Sequence, residues 1–189
     1  MRVEVTRLTS WKDVLNAARF TQRKEPLDKE PSEDFKKNII KAEHSPLRCL
    51  MFNIDMYDIP YRTSVHFVRH IHTQPFCSTS RPDIDGNMLP RSEQKKDDPV
   101  NLRLFLNAEE IINISRKRLC NRAEKETKQV WQQVINTLRN IEPELANACI
   151  PNCIYRGFCP EIKSCGYANS NAFENARKYY YTSMNCKHE

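Results

Sequence analysis

The sequence predicts an α+β fold in which long helices pack on a mixed or antiparallel sheet within a single domain. Apolar and polar side chains alternate over residues 50–56, which is the pattern of a half-buried strand. Apolar residues recur at helical spacing over residues 107–141, within a highly charged segment. A chain of 189 residues that is 39% hydrophobic and 29% charged suits one hydrophobic core.

The first third of the chain predicts one strand and two helices. Residues 2–8 alternate between apolar and polar side chains, which predicts a short strand. The segment from Ser10 to Asp13 has the form of a capping box, and apolar residues follow it at helical spacing. A polar turn with two prolines then leads to Ser32, which is positioned to cap a second helix.

The middle of the chain predicts a strand, a helix and a long irregular segment. The strand at residues 50–56 is followed by Pro60, which suits the first turn of a helix that runs towards His70. Residues 73–99 contain four prolines and many charges, so we expect an irregular loop there. A loop of this length is usually either disordered or functional.

The last part of the chain predicts a long helix and a cysteine-rich extension. The apolar stripe over residues 107–141 is the strongest helical pattern in the sequence. Residues 149–166 contain four cysteines and two glycines and show little periodicity, which predicts loops, and a polar helix follows near residues 171–181. We therefore expect an α+β domain at residues 1–148 and an extension at residues 149–189 that packs on the same domain.

The composition excludes several classes of protein. The chain has three glycines, and no two of them stand at the spacing of a Rossmann fingerprint or a P-loop. No apolar run approaches the roughly 18 residues that a membrane span needs. The first residues lack the apolar core of a signal peptide, so we expect a cytoplasmic protein. A net charge of +6, scattered along the chain, suits an anionic small molecule or weak binding of nucleic acid.

Three histidines form the first cluster that could carry chemistry. His66 and His70 stand four residues apart, which is a spacing of metal ligands on a helix, and His72 follows them. The residues between the first two include Arg69 and no glutamate, which disfavours a metal site of the metalloprotease kind. Structural packing and contact with an anion or a cofactor remain open as roles for these histidines.

Arginines and hydroxyl groups form a second cluster. Arg69 directly precedes His70, and Arg81 follows a run of hydroxyl side chains. The run consists of Ser78, Thr79 and Ser80. An arginine fork beside hydroxyl groups is an arrangement that binds phosphate, and a solvated basic surface is the alternative.

Asn107 and Arg118 are predicted to share one face of the long helix. They are eleven residues apart, which places them within roughly 20° of each other around an ideal helix. A buried arginine on that face would need a partner, and a bound anion or a ligand carbonyl could serve as one.

The cysteines invite a metal hypothesis. Eight cysteines in a cytoplasmic chain do not favour a disulfide framework. Four of them could supply thiolates to a zinc ion, although their spacing departs from short C-x2-C knuckles, and reduced structural thiols are the alternative. These four are Cys149, Cys153, Cys159 and Cys165. We expect Cys77 and Cys120 to be buried, unreactive thiols.

Several of these residues, in order, resemble the motifs of flavin-dependent thymidylate synthases. Arg69-His70-Ile71, followed after seven residues by Thr79 and then Arg81, is similar to that family's signature of Arg-His-Arg, seven residues, Ser and an arginine two beyond. The stretch Glu43-His44-Ser45-Pro46 and the segment from Asn107 to Glu126 also look like that family. The cysteine-rich tail is similar to the tail of some members. The likeness extends over residues 43–166.

The resemblance implies an enzyme with FAD at the interfaces of a homotetramer. In that family a methylene group passes from methylenetetrahydrofolate to the uracil ring of dUMP, NADPH supplies the reducing equivalents, and no protein thiol attacks the base. The residues expected to contact FAD are Arg69, His70, Asn107 and Asn113. Arg81 would bind the nucleotide phosphate, and Arg118 would stabilise the ionised pyrimidine. The remaining substrate contacts would be His66, Ser78, Thr79, Ser80 and Arg91, with Thr79 as a catalytic residue in the place of the signature serine.

Departures from the family pattern leave the exact reaction open. Ile71 replaces the second signature arginine, Thr79 replaces the serine, and Glu109 replaces an arginine beside the flavin-binding asparagine. We expect conversion of dUMP to dTMP, with another one-carbon product or another pyrimidine such as dCMP as the close alternative. A non-catalytic descendant that binds nucleotides or nucleic acid is a second class, with base stacking on Tyr179, Tyr180 and Tyr181. A zinc-binding interaction module is a third.

Overall fold

The computed structural model describes residues 1–79, 81, 84 and 91–185, and its centre is an antiparallel sheet. Within the described residues this sheet has four strands in the order β1-β2-β4-β3. The strands are β1 (Arg2–Arg7), β2 (Met51–Pro60), β3 (Thr73–Cys77) and β4 (Pro99–Asn107). The α+β fold with an antiparallel sheet is thereby confirmed.

The two central strands bury alternate side chains on one face of the sheet. Phe52, Ile54 and Met56 of β2 lie opposite Leu106, Leu104 and Leu102 of β4, and all six are almost fully buried. Intervening residues such as Asp55 and Arg103 face outward and form a paired ion contact, with 2.6 Å between Oδ1 and Nε. The predicted period of two therefore reflects one buried face and one exposed face.

Helices cover the buried face of the sheet. Those found in the described residues are α1 (Trp11–Thr21), α2 (Glu33–Lys41), α3 (Tyr61–Phe67), α4 (Ala108–Arg118), α5 (Lys125–Arg139), α6 (Pro143–Ala148), α7 (Asn152–Arg156) and α8 (Asn171–Met184). The indole of Trp131 on α5 packs against Phe67 at the end of α3, with 5.5 Å between ring centroids. None of the helices in the described ranges has the length and apolar character that would let it cross a membrane.

The predicted helix over residues 107–141 is two helices, so that expectation was wrong. Leu119 ends α4, and Glu124 begins α5 by accepting a hydrogen bond from the backbone amide of Thr127, at 2.8 Å. A carboxylate in the N-cap position satisfies one of the amides that a helix start leaves without a partner. The apolar stripe runs through both helices because each packs against the same core. The charged turn between them interrupts the helix but not the stripe.

The predicted loop over residues 73–99 begins with a strand instead. Residues Thr73–Cys77 form β3 at the edge of the sheet, where four of the five side chains are exposed. An edge strand with so little burial has no alternating apolar pattern for sequence reasoning to detect. Pro75 is compatible with this position because an edge strand needs hydrogen-bond donors on one side only.

The cysteine-rich segment is more regular than predicted. It contains α7 and a short 3-10 helix (Tyr167–Asn169) before α8, which matches the predicted polar helix. Gly157 follows α7 with φ of +80°, a left-handed conformation that glycine adopts without strain. Phe173, Tyr180 and Met184 of α8 join the same hydrophobic core as the sheet. A domain boundary at residue 148 stays a prediction.

Candidate functional site

Arg118 links the end of α4 to the turn that follows α3. Its Nε donates a hydrogen bond to Nε2 of His70 at 3.1 Å, and its Nη2 donates to the backbone carbonyl oxygen of His66 at 2.6 Å. Burial, together with the nearby charge of Arg69, lowers the pKa of the Arg118 guanidinium. The fold therefore brings together four predicted site residues from two separate parts of the chain.

A buried carboxylate lies on the other side of His70. Glu110 is 4% exposed, and its Oε1 lies 3.4 Å from Nδ1 of His70. Its Oε2 accepts a hydrogen bond from Nδ2 of Asn113 at 3.3 Å. Asn107 caps α4, because its Oδ1 accepts a hydrogen bond from the Glu110 amide at 2.9 Å. The imidazole of His70 thus lies between a carboxylate and a guanidinium.

Asn107 and Asn113 line a small cavity beside this cluster. The cavity measures about 180 Å³, and Arg48, His72, Glu109 and Glu110 complete its wall. Glu109 forms an ion pair with Arg48, so these two charges are compensated within the protein. Because Oδ1 of Asn107 is used to cap α4, its amide NH₂ group is the part that remains to donate to a ligand. Two predicted cofactor-binding residues therefore share one cavity.

His66 is held by a hydrogen-bonded chain that leads to the start of α5. Its Nδ1 lies 2.6 Å from Oγ1 of Thr127, and that hydroxyl donates to Oε2 of Glu124 at 2.8 Å. Because the hydroxyl proton is given to Glu124, His66 must be the donor, and its Nε2 keeps a lone pair. Burial and the charge of Arg118 lower the pKa of His66. His66 is therefore a neutral side chain with a fixed ring.

The predicted phosphate-binding hydroxyls lie at the opposite end of the β3–β4 ladder. The backbone amide of Ser78 donates to the Asn101 carbonyl at 2.8 Å, and Oγ of Ser78 accepts from the Asn101 amide at 3.1 Å. Oγ1 of Thr79 accepts from the Arg81 amide at 3.2 Å. The ladder begins at Thr73, next to His70, and Ser78 lies five residues further along, at about 3.3 Å per residue.

Two predicted substrate residues cannot be placed in this geometry. Ser80 lies outside the described residues. The backbone of Arg91 begins a short 3-10 helix (Arg91–Glu93), and its side chain lies outside the description as well. Their assignment to the substrate stays a prediction.

The four candidate zinc ligands lie around one cavity of about 300 Å³, together with Cys120. Cys149 is buried, and this burial raises the pKa of its thiol to about 12. Cys165, by contrast, is exposed. In the described ranges no three His, Cys, Asp or Glu side chains are arranged to hold a metal ion, and the zinc site stays a prediction. A structural zinc site needs all its ligands within about 2.3 Å of one point.

The expectation of two buried single cysteines was wrong in detail. Cys77 is exposed because it ends the edge strand β3, and Cys120 is partly exposed in the turn after α4. Cys77 lies opposite the buried Leu102 of β4 but at the end of an edge strand, and Cys120 lies in the turn beyond α4.

Glu110 was missed by sequence reasoning although a signal for it exists. It stands three residues after Asn107 and eight before Arg118, which places all three on neighbouring turns of one side of α4. An acidic residue among the apolar residues of a buried stripe is unusual unless it has a partner. That partner, His70, comes from another part of the chain and could not be identified from spacing.

Comparison with solved structures places this geometry in a known fold. Two structures of the flavin-dependent thymidylate synthase ThyX from Helicobacter pylori, with FAD and dUMP, match with TM-scores of 0.66. Each is 14% identical in sequence to this chain. The matches cover 79% of this chain and 100% and 99% of the two ThyX chains. The chain has the ThyX-like fold.

A second enzyme shares the ThyX-like fold with this chain. The UMP/dUMP methylase PolB from Streptomyces cacaoi, bound with 5-Br dUMP, matches with a TM-score of 0.60 and 13% identity over 78% of this chain and 94% of its own. No protein-family model matches the chain, and no curated protein matches its sequence. At these identities the comparison establishes the fold, and the chemistry has to be argued from the residues.

Proposed function

We propose that this chain is an FAD-dependent enzyme that transfers a one-carbon unit to carbon-5 of a pyrimidine deoxynucleotide. The reaction expected by default converts dUMP to dTMP, with methylenetetrahydrofolate and NADPH as co-substrates. The observation that carries the proposal is the contact of Arg118 with His70 in a ThyX-like fold, because both residues match the family motifs in register. The solved relatives by fold were crystallised with dUMP or its bromo derivative, which supports a nucleotide of this class.

Arg118 would act on the pyrimidine ring. In the described part of the chain its Nε and Nη2 contact His70 and His66, which leaves Nη1 to donate to a pyrimidine carbonyl. A fixed cation stabilises negative charge that develops on the base as carbon-5 becomes nucleophilic. Since the protein contacts already fix the guanidinium, little reorganisation is needed when the nucleotide binds.

The flavin would be held by the cavity residues and by the turn after α3. Asn107 and Asn113 offer amide groups, and Arg69 and His70 stand at the signature positions. When bound, FAD supplies the redox chemistry of the transfer. Because about 180 Å³ is below the size of pockets that enclose drug-sized ligands, the cavity would hold only part of FAD. The rest would lie on the surface, where another subunit could cover it.

The nucleotide phosphate would be bound by Arg81 with Ser78 and Thr79, and by Ser80 and Arg91. Ser78, Thr79 and Arg81 follow β3, at the far end of the ladder from His70. A separation of about 16 Å along the sheet supports a site shared between subunits, in which one chain supplies Arg118 and another supplies Arg81. We therefore propose a homotetramer with interfacial active sites.

The tyrosines of α8 do not favour the alternative hypothesis of a nucleic-acid-binding protein. Tyr180 is 8% exposed and belongs to the core, while Tyr179 and Tyr181 are 63% and 45% exposed. Three successive residues of a helix point in different directions, so they do not form a continuous stacking platform. A steep salt dependence of oligonucleotide binding would instead support that reading.

The first experiment is to add FAD to the purified protein, desalt it and record the visible absorption spectrum. We expect flavin bands that shift when dUMP is added. Incubation with methylenetetrahydrofolate, NADPH and either dUMP or dCMP would then identify the acceptor by the mass that the nucleotide gains. A protein that retains no flavin under excess FAD would contradict the proposal.

A further inference from the structure

The hydrogen bond between Arg118 and His70 fixes the position of the proton on the His70 ring. A guanidinium nitrogen can only donate, so Nε2 of His70 must accept from Nε of Arg118 at 3.1 Å. A neutral imidazole that accepts at Nε2 carries its proton at Nδ1. The geometry therefore corresponds to the neutral ring protonated at Nδ1.

Nδ1 faces the carboxylate of Glu110. The distance from Nδ1 to Oε1 is 3.4 Å, longer than an ordinary hydrogen bond but within the range of strong electrostatic interaction. Glu110 is 4% exposed, so water screens this interaction little. A carboxylate next to Nδ1 favours the tautomer that directs N–H towards it, as it does for histidines whose other nitrogen carries a functional contact.

The position of Glu110 on α4 also allows a purely structural role. It occupies the first turn of the helix, where a negative charge interacts favourably with the helix dipole, and Asn113 donates to its other oxygen at 3.3 Å. A residue that served only the helix would affect stability without influencing the protonation of His70. The two roles can therefore be separated by experiment.

We propose that Glu110 is a positioning residue that holds His70 as its Nδ1-protonated tautomer, so that Nε2 fixes the guanidinium of Arg118 for the substrate. This inference deepens the proposed function and rests on it for the role of Arg118. Glu110 lines the cavity proposed to hold part of FAD, but the proposal does not place it against the pyrimidine or carbon-5. Its effect passes through His70 to Arg118. Glu110 and Arg118 lie at the start and the end of α4, and His70 lies between them from the turn after α3.

The direct test is ¹⁵N NMR of histidine-labelled protein, in which Nδ1 and Nε2 of each ring are distinguished by their shifts and couplings. We expect the His70 ring, assigned by its loss in His70→Asn, to be protonated at Nδ1 at neutral pH. Glu110→Leu should shift it towards the Nε2-protonated or mixed form. Glu110→Gln, whose amide oxygen can still accept from Nδ1, should largely restore the original tautomer.

A matched control separates positioning from stability. Glu142 is another buried carboxylate, 2% exposed, and it accepts from Nε1 of Trp11 at 2.7 Å far along the chain from the site. Glu142→Gln should lower the melting temperature and leave the His70 signals unchanged. If Glu110→Leu does not fold, the comparison of wild type with Glu110→Gln still tests the proposal, since Nε2 protonation in the wild type would overturn it.

Turnover provides the second readout. We expect kcat to fall about 10- to 100-fold in Glu110→Leu, the range found when a hydrogen-bond partner of a metal-ligating histidine is removed, and to recover in Glu110→Gln. An unchanged His70 tautomer in Glu110→Leu would overturn the proposal. If the tautomer shifts as expected in a protein that neither binds FAD nor turns over nucleotide, the positioning by Glu110 stands and the proposed function fails.

Discussion

Arg118 is the side chain on which the proposed chemistry depends most directly. We expect Arg118→Ala to abolish turnover, by more than about 100-fold, because it removes the cation that would stabilise the ionised pyrimidine. The flavin should remain bound, since Asn107 and Asn113 are untouched. Absorption spectroscopy and single-turnover measurements with dUMP check the two expectations separately.

Arg122→Ala is a suitable control for that variant. Arg122 is an exposed arginine four residues further along, in the turn before α5. It should keep full activity, and loss of activity in both variants would point to net charge as the cause. Retained activity in Arg118→Ala would eliminate the assignment of Arg118 to the base.

The cysteines around the C-terminal cavity should differ sharply in reactivity. Burial raises the pKa of Cys149 to about 12, so at pH 8 its thiol is almost entirely protonated and inaccessible. Cys165 is exposed and should react early with an aromatic disulfide reagent. Thiol titration of the native protein measures both. Cys165→Ser should remove part of the fast phase, whereas a fast phase that disappears in Cys149→Ser would contradict the buried position.

At the scale of elements, the break between α4 and α5 depends on Glu124. Burial opposes ionisation of this carboxylate. Hydrogen bonds with the side chains and backbone amides of Glu126 and Thr127 outweigh that effect and lower its pKa to about 2. Glu124→Ala should therefore reduce the free energy of unfolding at neutral pH by about 0.5–2 kcal/mol, the usual cost of losing an N-cap.

The pH dependence of that loss follows from the lowered pKa. A carboxylate whose pKa falls from 4.5 to about 2 on folding contributes its full stability above pH 4.5. The contribution declines as the pH falls from 4.5 towards 2. Denaturant unfolding of the wild type and of Glu124→Ala across this range should show their difference shrinking with acid. A difference that is constant from pH 7 to pH 2 would contradict the assignment.

The elements themselves differ in how well their patterns reveal them. Strand β2 alternates because one face is buried, and α1 and α2 begin at serines that fit N-cap positions, as expected. Strand β4 alternates in the same way but was not predicted. Strand β3 was not predicted, because an edge strand with exposed side chains has no such alternating pattern. The stripe over residues 107–141 did not reveal the turn between α4 and α5, because apolar periodicity indicates which face packs and not whether the helix is continuous.

At the scale of the whole molecule, the ends of the β3–β4 ladder carry the two halves of the proposed site. If different subunits supply Arg118 and Arg81, the inactive variants Arg118→Ala and Arg81→Ala should complement each other. Mixed tetramers would contain some sites in which both arginines are native. Coexpression with two affinity tags, followed by activity measurement of the doubly purified protein, tests this. Complete inactivity of mixed tetramers would argue for a site within one chain.

The amino-acid sequence by itself determined the fold class, strands β1 and β2, most of the helices, and the motif residues from Arg69 to Arg118. Alternation, helical periodicity and caps are local properties, so they can be recognised in one dimension. The tertiary structure decided which of those residues meet. Arg118 contacts His70 across 48 positions of sequence, Glu110 reaches the same ring, and the four candidate zinc ligands line one cavity. Such contacts depend on how helices pack on the sheet, which no spacing within the sequence encodes.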